Sequence, residues 1–185
     1  MKIIGYSASP RKDGNTAWVV TNILAGAREK GAVTEFFSAG EHDIKPCRGC
    51  LACTDRNKCA VNDDMQSIYA ALNGADAIVL GSPIYMGQMT AQAKAFTDRL
   101  FAQITPRFSP RFKEKNAGKK MILSFTQGNP DKKMFAEYIA YTEKMFRMLE
   151  FDVTETVVVA GTRTTPACEQ LSLDSELKRI GESLL

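Results

Sequence analysis

Apolar residues recur along this chain in two alternating patterns. Short continuous apolar runs, typical of strands buried in a sheet, are separated by longer segments whose apolar positions lie three to four residues apart, as on one face of a helix. The predicted strands are Lys2–Tyr6, Val33–Phe37, Ala75–Gly81, Lys120–Phe125 and Val153–Ala160. The predicted helices are Asn15–Lys30, Asp63–Asn73, Thr90–Phe101, Asp131–Leu149 and Glu169–Leu185.

This alternation predicts an α/β fold in three layers, with a five-stranded parallel sheet between helices on both faces. For five strands the flavodoxin-like order 2-1-3-4-5 is the first choice. We predict a single domain over residues 1–185, with a cysteine-rich loop at about 45–62 and an irregular surface segment at 105–119. Asp63 and Gln66 have the spacing of a capping box at the start of the second helix.

Composition and charge exclude some function classes. Hydrophobic residues make up 44% of the chain, charged residues 24%, and the net charge is +3. This charge is too small to indicate nucleic-acid binding, and no basic stripe interleaved with aromatic residues occurs. The N-terminal apolar run is too short for a signal sequence, and no apolar stretch approaches the roughly 20 residues that cross a bilayer. We therefore expect a cytoplasmic protein without a membrane partner.

The loop after the first strand, residues 7–16, joins a strand to a helix start at the sheet edge where such folds bind ligands. It contains the hydroxyls of Ser7, Ser9 and Thr16, the amide of Asn15 and the guanidinium of Arg11. Free N–H groups at a helix N-terminus attract phosphate. Because neither a Walker pattern nor G-x-G-x-x-G is present, the loop suits a terminal monophosphate better than a pyrophosphate. The alternative is a polar turn in which Asn15 or Thr16 caps the helix.

The loop after the third strand is apolar at a point where a helix must begin. Its central residues are Ser82, Pro83, Ile84, Tyr85, Met86 and Gly87. The proline favours an extended backbone before it, the next three side chains offer flat and polarisable surface, and the glycine permits close backbone approach. A planar heterocycle with polar edges fits such a loop, and a hydrophobic staple for the next helix is the alternative. Small polar residues after the fourth strand, Thr126, Gln127 and Gly128, can complete the rim of such a pocket, and a simple turn is the alternative.

These motifs resemble the NADPH-dependent FMN reductase superfamily of flavodoxin-fold proteins. The resemblance rests on SASPRKDGNT and on SPIYMGQM followed by Lys94 and Asp98-Arg99, and it covers nearly the whole chain. It implies that Ser7, Ser9, Arg11, Asn15 and Thr16 hold the phosphate of FMN. It also implies that the segments Ser82–Gly87 and Thr126–Gly128 hold the isoalloxazine ring. The sequence departs from the family pattern at Ala8, where glycine is frequent, and in TQGNP, which lacks the usual run of glycines.

Four cysteines crowd into the segment CRGCLACTDRNKC between the second strand and the second helix. Cys47, Cys50 and Cys53 follow one another at the x2 spacing of bacterial ferredoxins, and Cys59 comes x5 later. The cations Lys45, Arg48, Arg56 and Lys58 lie around them in sequence and would offset thiolate charge. A [4Fe–4S] cluster is the first interpretation, and a bare or zinc-bound site is the second. With the following DDM, the segment resembles the iron–sulfur flavoproteins of anaerobes.

The sequence thus predicts an FMN-dependent oxidoreductase that moves electrons from a small-molecule donor, with NAD(P)H as the candidate, to a small acceptor or a ferredoxin-like protein. The flavin carries the chemistry, so no catalytic side chain is assigned. Because an exposed flavin needs cover from water, we expect a homodimer or homotetramer. The alternatives are a non-enzymatic flavodoxin-type electron carrier, which the basic net charge disfavours, and a flavin-free zinc-binding module.

Other polar residues have simpler explanations. His42 is the only histidine of the chain and lies in a loop beside two acidic residues. Cys168 reads as a lone thiol at a helix start, and Asp98 and Arg99 as a helix face or a subunit contact. The basic stretch Arg107–Lys120 is a candidate contact for the 2′-phosphate of NADPH, with a solvated loop as the alternative.

Overall fold

The computed structural model describes residues 1–56, 58–103 and 118–185, and in these ranges strands and helices alternate as the sequence predicts. The strands are β1 Lys2–Ser7, β2 Val33–Ser38, β3 Ala77–Tyr85, β4 Gln88–Met89, β5 Lys120–Thr126 and β6 Asp152–Val159. The helices are α1 Asn15–Glu29, α2 Ala52–Arg56, α3 Met65–Asn73, α4 Ala91–Arg99, α5 Ala136–Met148 and α6 Leu173–Glu182. Short 3₁₀ turns cover Leu100–Gln103 and Ala167–Glu169.

The sheet has the order β2-β1-β3-β5-β6 with parallel pairing throughout, and β4 pairs antiparallel with the end of β3. These five parallel strands are the predicted ones in the predicted 2-1-3-4-5 order, so the flavodoxin-like fold is confirmed. The additional strand β4 was not predicted. It is only Gln88–Met89, too short for an alternating pattern to be visible in the sequence.

Strand β3 is longer than predicted and changes the nature of the apolar loop. Ser82 and Pro83 still pair in register with Phe125 and Thr126 of β5. The chain then reverses through Met86 and Gly87, which have φ values of 49° and 81°. Two successive positive φ values are the mark of the tight hairpin turn that matches strand twist. The predicted loop is therefore a strand end followed by a hairpin turn.

Helices cover both faces of the sheet and enclose two apolar layers. One layer lies under α1 and α6, and the other lies under α3, α4 and α5. Helices α1 and α6 touch backbone to backbone, because a Cβ atom at Gly26 would collide with the carbonyl of Lys178 and one at Gly181 with that of Ile23. Within the described ranges, no helix is long and apolar enough to cross a bilayer.

The start of α3 differs from the predicted capping box. The Asp63 carboxylate does accept a hydrogen bond from the Met65 N–H at 3.2 Å. The Gln66 side chain, however, donates to the carbonyls of Val61 at 2.6 Å and Cys59 at 3.4 Å instead of reaching back to the cap residue. The capping box is thus wrong, because the N-cap residue is Asp64, whose side chain makes no cap bond, and Gln66 holds the chain that precedes the helix.

Candidate functional site

Helix α1 begins at the carboxyl edge of the sheet without a side-chain cap. Its N-cap, Gly14, is extended, and no side chain there accepts a hydrogen bond from the first turn. The first turn also lacks an acidic residue. Uncapped N–H groups and the positive end of the helix dipole therefore face the space above β1, which is the arrangement that binds an anion.

A cleft of about 460 Å³ opens at this helix start. It is lined by Ser9, Arg11, Gly14, Asn15, Thr16, Pro83, Ile84, Tyr85, Thr126, Gly128, Thr162 and Arg163. These residues come from the chain after β1, β5 and β6 and from the last residues of β3 and β5 themselves. The volume falls in the usual range for small-molecule sites, roughly 300–1,000 Å³.

Two hydrogen bonds fix the start of α1 against its neighbours. The hydroxyls of Thr16 and Thr126 are 2.7 Å apart and both side chains are buried, so the bond joins α1 to the end of β5. The Asn15 side-chain oxygen accepts the N–H of Ala167 at 2.8 Å, which ties α1 to the turn before α6. Only the NH₂ group of Asn15 is left for a ligand.

The cleft has two cations with free side chains. Arg11 and Arg163 are both exposed, and within the described ranges neither guanidinium has a hydrogen-bond or ion-pair partner. Lys12 next to Arg11 is already paired with Glu41. The hydrogen bond and charge of that carboxylate raise the pKa of Lys12. Two unpaired arginines beside a helix N-terminus favour a dianionic group such as a phosphate monoester.

The opposite wall of the cleft is the apolar end of β3. Pro83 is buried, Ile84 is partly buried and the Tyr85 side chain is 46% exposed. Beyond them Met86 is fully exposed at the hairpin turn. The cleft therefore has a cationic, hydroxyl-rich end and a flat apolar side, which together match a phosphate and an aromatic ring on one ligand.

FMN is such a ligand, and the residues present fit it. Its phosphate matches the uncapped α1 start with Arg11 and Ser9, and its ring matches the β3 wall. The backbone after β5 supplies the rim, where the exposed Gly128 approaches the Arg163 side chain closely. Hydrogen bonds from Gly161 N–H to Asn129 and from Thr162 N–H to Gln127 hold these two loops together.

The cysteine segment lies after β2, whose carboxyl end is at the same sheet edge as that of β1. Cys47 and Cys50 are exposed, whereas Cys53 on α2 and Cys59 are half-buried against the apolar layer under α3 and α4. The chain turns at Gly49 and Leu51, with φ values of 62° and 56°. The N–H of Gly49 donates to the Cys47 sulfur at 3.5 Å. All five cysteines of the chain are free thiols.

The Cys53 thiol lies within electrostatic reach of the other three thiols of the segment. Burial raises the pKa of the Cys53 thiol, and the charges of Cys59, Cys47 and Cys50 raise it further. Within the described ranges, however, no three cysteine, histidine or acidic side chains converge as metal ligands. As a donor set the four thiols fit a cluster or a zinc ion, and the [4Fe–4S] cluster stays a prediction.

A buried ion pair lies at the base of this segment. The Arg99 guanidinium donates to both carboxylate oxygens of Asp63, at 2.6 and 3.0 Å. Their side chains are 0% and 2% exposed. Although burial opposes both charges, the hydrogen bonds between them hold the pKa of Asp63 below and that of Arg99 above their ordinary values. The expectation that Arg99 lies on an exposed helix face or a subunit contact is therefore wrong.

A family model described as NADPH-dependent FMN reductase matches residues 1–138. The chain belongs to this family. Among curated proteins, it is 43% identical over 99 residues to an iron–sulfur flavoprotein of Methanocaldococcus jannaschii, a match that covers 54% of this chain and 51% of the relative. An iron–sulfur flavoprotein of Methanosarcina thermophila is 40% identical over 54% of this chain and 52% of the relative. The chain thus spans about half the length of the curated relatives it matches.

Solved structures agree with this family fold. An azoreductase from Bacillus anthracis superposes with a TM-score of 0.71 at 15% identity, over 99% of each chain. The NAD(P)H:quinone oxidoreductase from Methanothermobacter marburgensis has a TM-score of 0.71 at 13% identity, over 100% of this chain and 99% of the other. At these identities the likeness concerns the fold alone.

The structure brings together nine of the fourteen residues that the sequence assigns to the family's flavin: Ser9, Arg11, Asn15, Thr16, Pro83, Ile84, Tyr85, Thr126 and Gly128. The other five do not line the cleft, and as flavin contacts they stay predictions. Ser7 is buried beneath it with an unpaired hydroxyl. Ser82 bonds to Pro83 and Thr90 instead. Gln127 is buried with its NH₂ group on Asn129 and Asp131, and Met86 and Gly87 form the hairpin turn.

Sequence reasoning missed Thr162 and Arg163, which line the cleft after β6. The rule that ligands gather at the carboxyl ends of parallel strands applies to the last strand as well and was the available signal. Most of the basic stretch Arg107–Lys120 lies outside the described residues. His42 binds the Ser38 carbonyl through Nδ1 at 3.0 Å and stacks edge-on against Phe37.

Proposed function

We propose that this chain is an FMN-dependent oxidoreductase that receives electrons from NAD(P)H and passes them to a small-molecule or protein acceptor. The observation that carries the proposal is the cleft itself. It joins an uncapped helix start and two unpaired arginines to a flat apolar wall. Membership of the NADPH-dependent FMN reductase family supports FMN as the occupant.

In this proposal each wall of the cleft has a separate task. Arg11, Ser9 and the first-turn N–H groups of α1 hold the phosphate, with Arg163 as a second cation. Pro83, Ile84 and Tyr85 cover one side of the isoalloxazine, and the backbone from Thr126 to Gly128 borders its edge. When bound, FMN supplies the chemistry, because it takes up electrons in pairs and releases them singly or in pairs.

We further propose that Cys47, Cys50, Cys53 and Cys59 hold a [4Fe–4S] cluster that serves as the one-electron outlet, toward a ferredoxin-like protein. The spacing, the N–H of Gly49 on the Cys47 sulfur and the names of the curated relatives support this assignment. Backbone N–H donors to cysteine sulfur are a usual means of tuning such centres.

A second copy of the chain is the proposed cover for the flavin, in a homodimer or homotetramer. The supporting observation is the exposed apolar side chains of Tyr85, which lines the cleft, and of Met86, the next residue along the chain. Exposed apolar groups of this size that cluster around a cleft are typical of surfaces that another protein covers.

The flavin is tested by purifying the protein without air, denaturing it and separating the released cofactor by chromatography. We expect FMN, and we expect the bound flavin to be bleached by NADH or NADPH and to recover on adding a quinone or an azo dye. Release of FAD, or no flavin after incubation with FMN, would contradict the proposal. Flavin that neither nucleotide reduces would leave the binding site intact and remove NAD(P)H as the donor.

The cluster is tested by metal analysis of the same anaerobic protein. We expect about four irons per chain, the content of one [4Fe–4S] cluster. Serine at Cys47, Cys50, Cys53 or Cys59 should remove the iron and leave FMN bound. Cys168→Ser is the matched control, since Cys168 is a free thiol outside the segment. Zinc in place of iron, or flavin without any metal, would overturn the cluster.

A further inference from the structure

One arginine is buried where an apolar side chain would be expected. Arg99 is the last residue of α4, and it is only 1% exposed, the largest fully buried side chain among the described residues. Placing a guanidinium in the interior is unfavourable unless its hydrogen bonds are satisfied. The hydrogen-bond partners of the Arg99 guanidinium therefore indicate its structural role.

Those contacts join the two ends of the cysteine segment. Before the cysteines, Nη1 of Arg99 donates to the carbonyl of Lys45 at 2.8 Å. After them, Nη2 donates to the carbonyl of Val61 at 3.4 Å, and both nitrogens bind the Asp63 carboxylate. Asp63 closes the ring of contacts by accepting the N–H of Lys45 at 2.9 Å. All four cysteines lie between Lys45 and Val61.

Neighbouring groups hold the arginine and repeat the connection. The Tyr69 hydroxyl donates to the Arg99 carbonyl at 2.6 Å, and the guanidinium carbon lies 5.9 Å from the centre of the Tyr69 ring. A second hydrogen bond joins the chain before and after the cysteine segment, since the Asp64 carboxylate accepts the N–H of Asp43 at 2.7 Å.

We propose that Arg99, together with Asp63, is a positioning clasp that closes the base of the cysteine segment, so that a metal has to order only the chain between the two joined ends. The proposal rests on the proposed cluster. Closing a flexible loop costs conformational entropy. When the two ends of the loop are already joined, less entropy is lost as the metal binds, and the affinity is higher. Apolar packing could fill the same volume, but it could not fix the backbone of Lys45 and Val61 relative to each other.

The test uses three variants of the full chain. Arg99→Met combined with Asp63→Asn removes the clasp without leaving an unpaired buried charge, a replacement that proteins often tolerate well. Arg99→Lys keeps the charge but has no planar fork to reach both chain ends and the carboxylate together. Lys94→Ala is the matched control, because it removes an exposed ion pair with Asp98 on the same helix.

The readouts are FMN affinity, Co²⁺ affinity of the anaerobic, iron-free protein from its thiolate-to-cobalt absorption, and iron content after reconstitution. We expect Lys94→Ala to match the wild type. The double variant should keep FMN affinity while its Co²⁺ affinity falls about tenfold or more, the usual loss when groups that orient metal ligands are removed. Iron uptake should fall in parallel. Arg99→Lys should have a Co²⁺ affinity and an iron content between those of the wild type and the double variant.

Wild-type affinity for Co²⁺ and wild-type iron in the double variant would overturn the clasp. So would equal losses of FMN and Co²⁺ in both Arg99 variants, since that result would make Arg99 a general folding residue. Clasp-dependent Co²⁺ binding without iron uptake by the wild type would remove the cluster from the proposed function and leave the positioning role standing. A wild type that binds neither metal would overturn both.

Discussion

The cleft and the cysteine segment lie at the same edge of the sheet but are built in different ways. The cleft is formed by chain ends of four strands, and its hydroxyl groups on Ser9, Thr16 and Thr126 are almost completely buried. The cysteine segment has one short helix, Ala52–Arg56, and two of its four thiols are exposed. The cleft residues are fixed by the strands and the helix that carry them, whereas the cysteine segment is fixed mainly where its two ends meet Arg99.

This difference separates two ways of making a cofactor site. A site built from strand ends exists before the ligand arrives, so binding costs little reorganisation. A site made of thiols on an irregular segment needs the metal to complete it, and metal binding is then coupled to local folding. We therefore expect FMN affinity to be independent of metal content, and metal affinity to depend on residues outside the cysteine segment.

The largest effect is expected at the base of the cysteine segment. Asp63→Ala leaves the Arg99 guanidinium buried without its counter-charge, which typically destabilises a protein by about 3–5 kcal/mol. Urea unfolding of the apoprotein measures this loss. The control, Lys94→Ala, breaks an ion pair that is exposed and 2.5 Å long, for which about 0.3–0.5 kcal/mol is expected. Similar losses in the two variants would show that the base is no more firmly built than the surface.

The next effect concerns the cationic end of the cleft. Arg11→Ala should weaken FMN by roughly 10–100-fold, because a charged hydrogen bond contributes about 1.5–3 kcal/mol. Riboflavin has no phosphate, and its affinity should not change. Titration of the apoprotein by flavin fluorescence measures both. Lys12→Ala is the control, since Lys12 is paired with Glu41 and does not line the cleft. Equal losses for FMN and riboflavin would place the phosphate elsewhere.

The smallest effect tests how the cleft is held in the absence of ligand. Thr126→Val keeps the side-chain shape but leaves the buried Thr16 hydroxyl without its partner, at a cost of about 1 kcal/mol in the apoprotein. The double variant with Thr16→Val should recover part of this loss, because no unpaired hydroxyl is left. Thermal or urea unfolding of the four proteins gives the coupling between the two residues. Additive losses would mean that the bond does not join α1 to β5.

The sequence predicted the cleft better than the cysteine segment, because the residues of the cleft loop are close together along the chain and the partners of Arg99 are far apart. Strand order follows from chain alternation, and a strand-end loop such as residues 7–16 carries its polar residues together. Arg99 could not be assigned, because its partners Lys45, Val61 and Asp63 are 54, 38 and 36 positions away, and the first two are contacted through backbone carbonyls. Backbone groups leave no residue-type signal. The hairpin at Met86 was missed because a methionine in the left-handed region breaks the usual preference for glycine or asparagine there.

The backbone contact between α1 and α6 makes the cleft sensitive to changes far from it. Gly26 lies eleven positions beyond Asn15, about 16 Å along the helix at 1.5 Å per residue. A side chain at Gly26 or Gly181 would force the two helices apart, and a rigid α1 would act as a lever that tilts its N–H groups away from the phosphate. Substitutions at these glycines should therefore appear in a screen as loss of flavin colour, although neither residue comes near the cofactor.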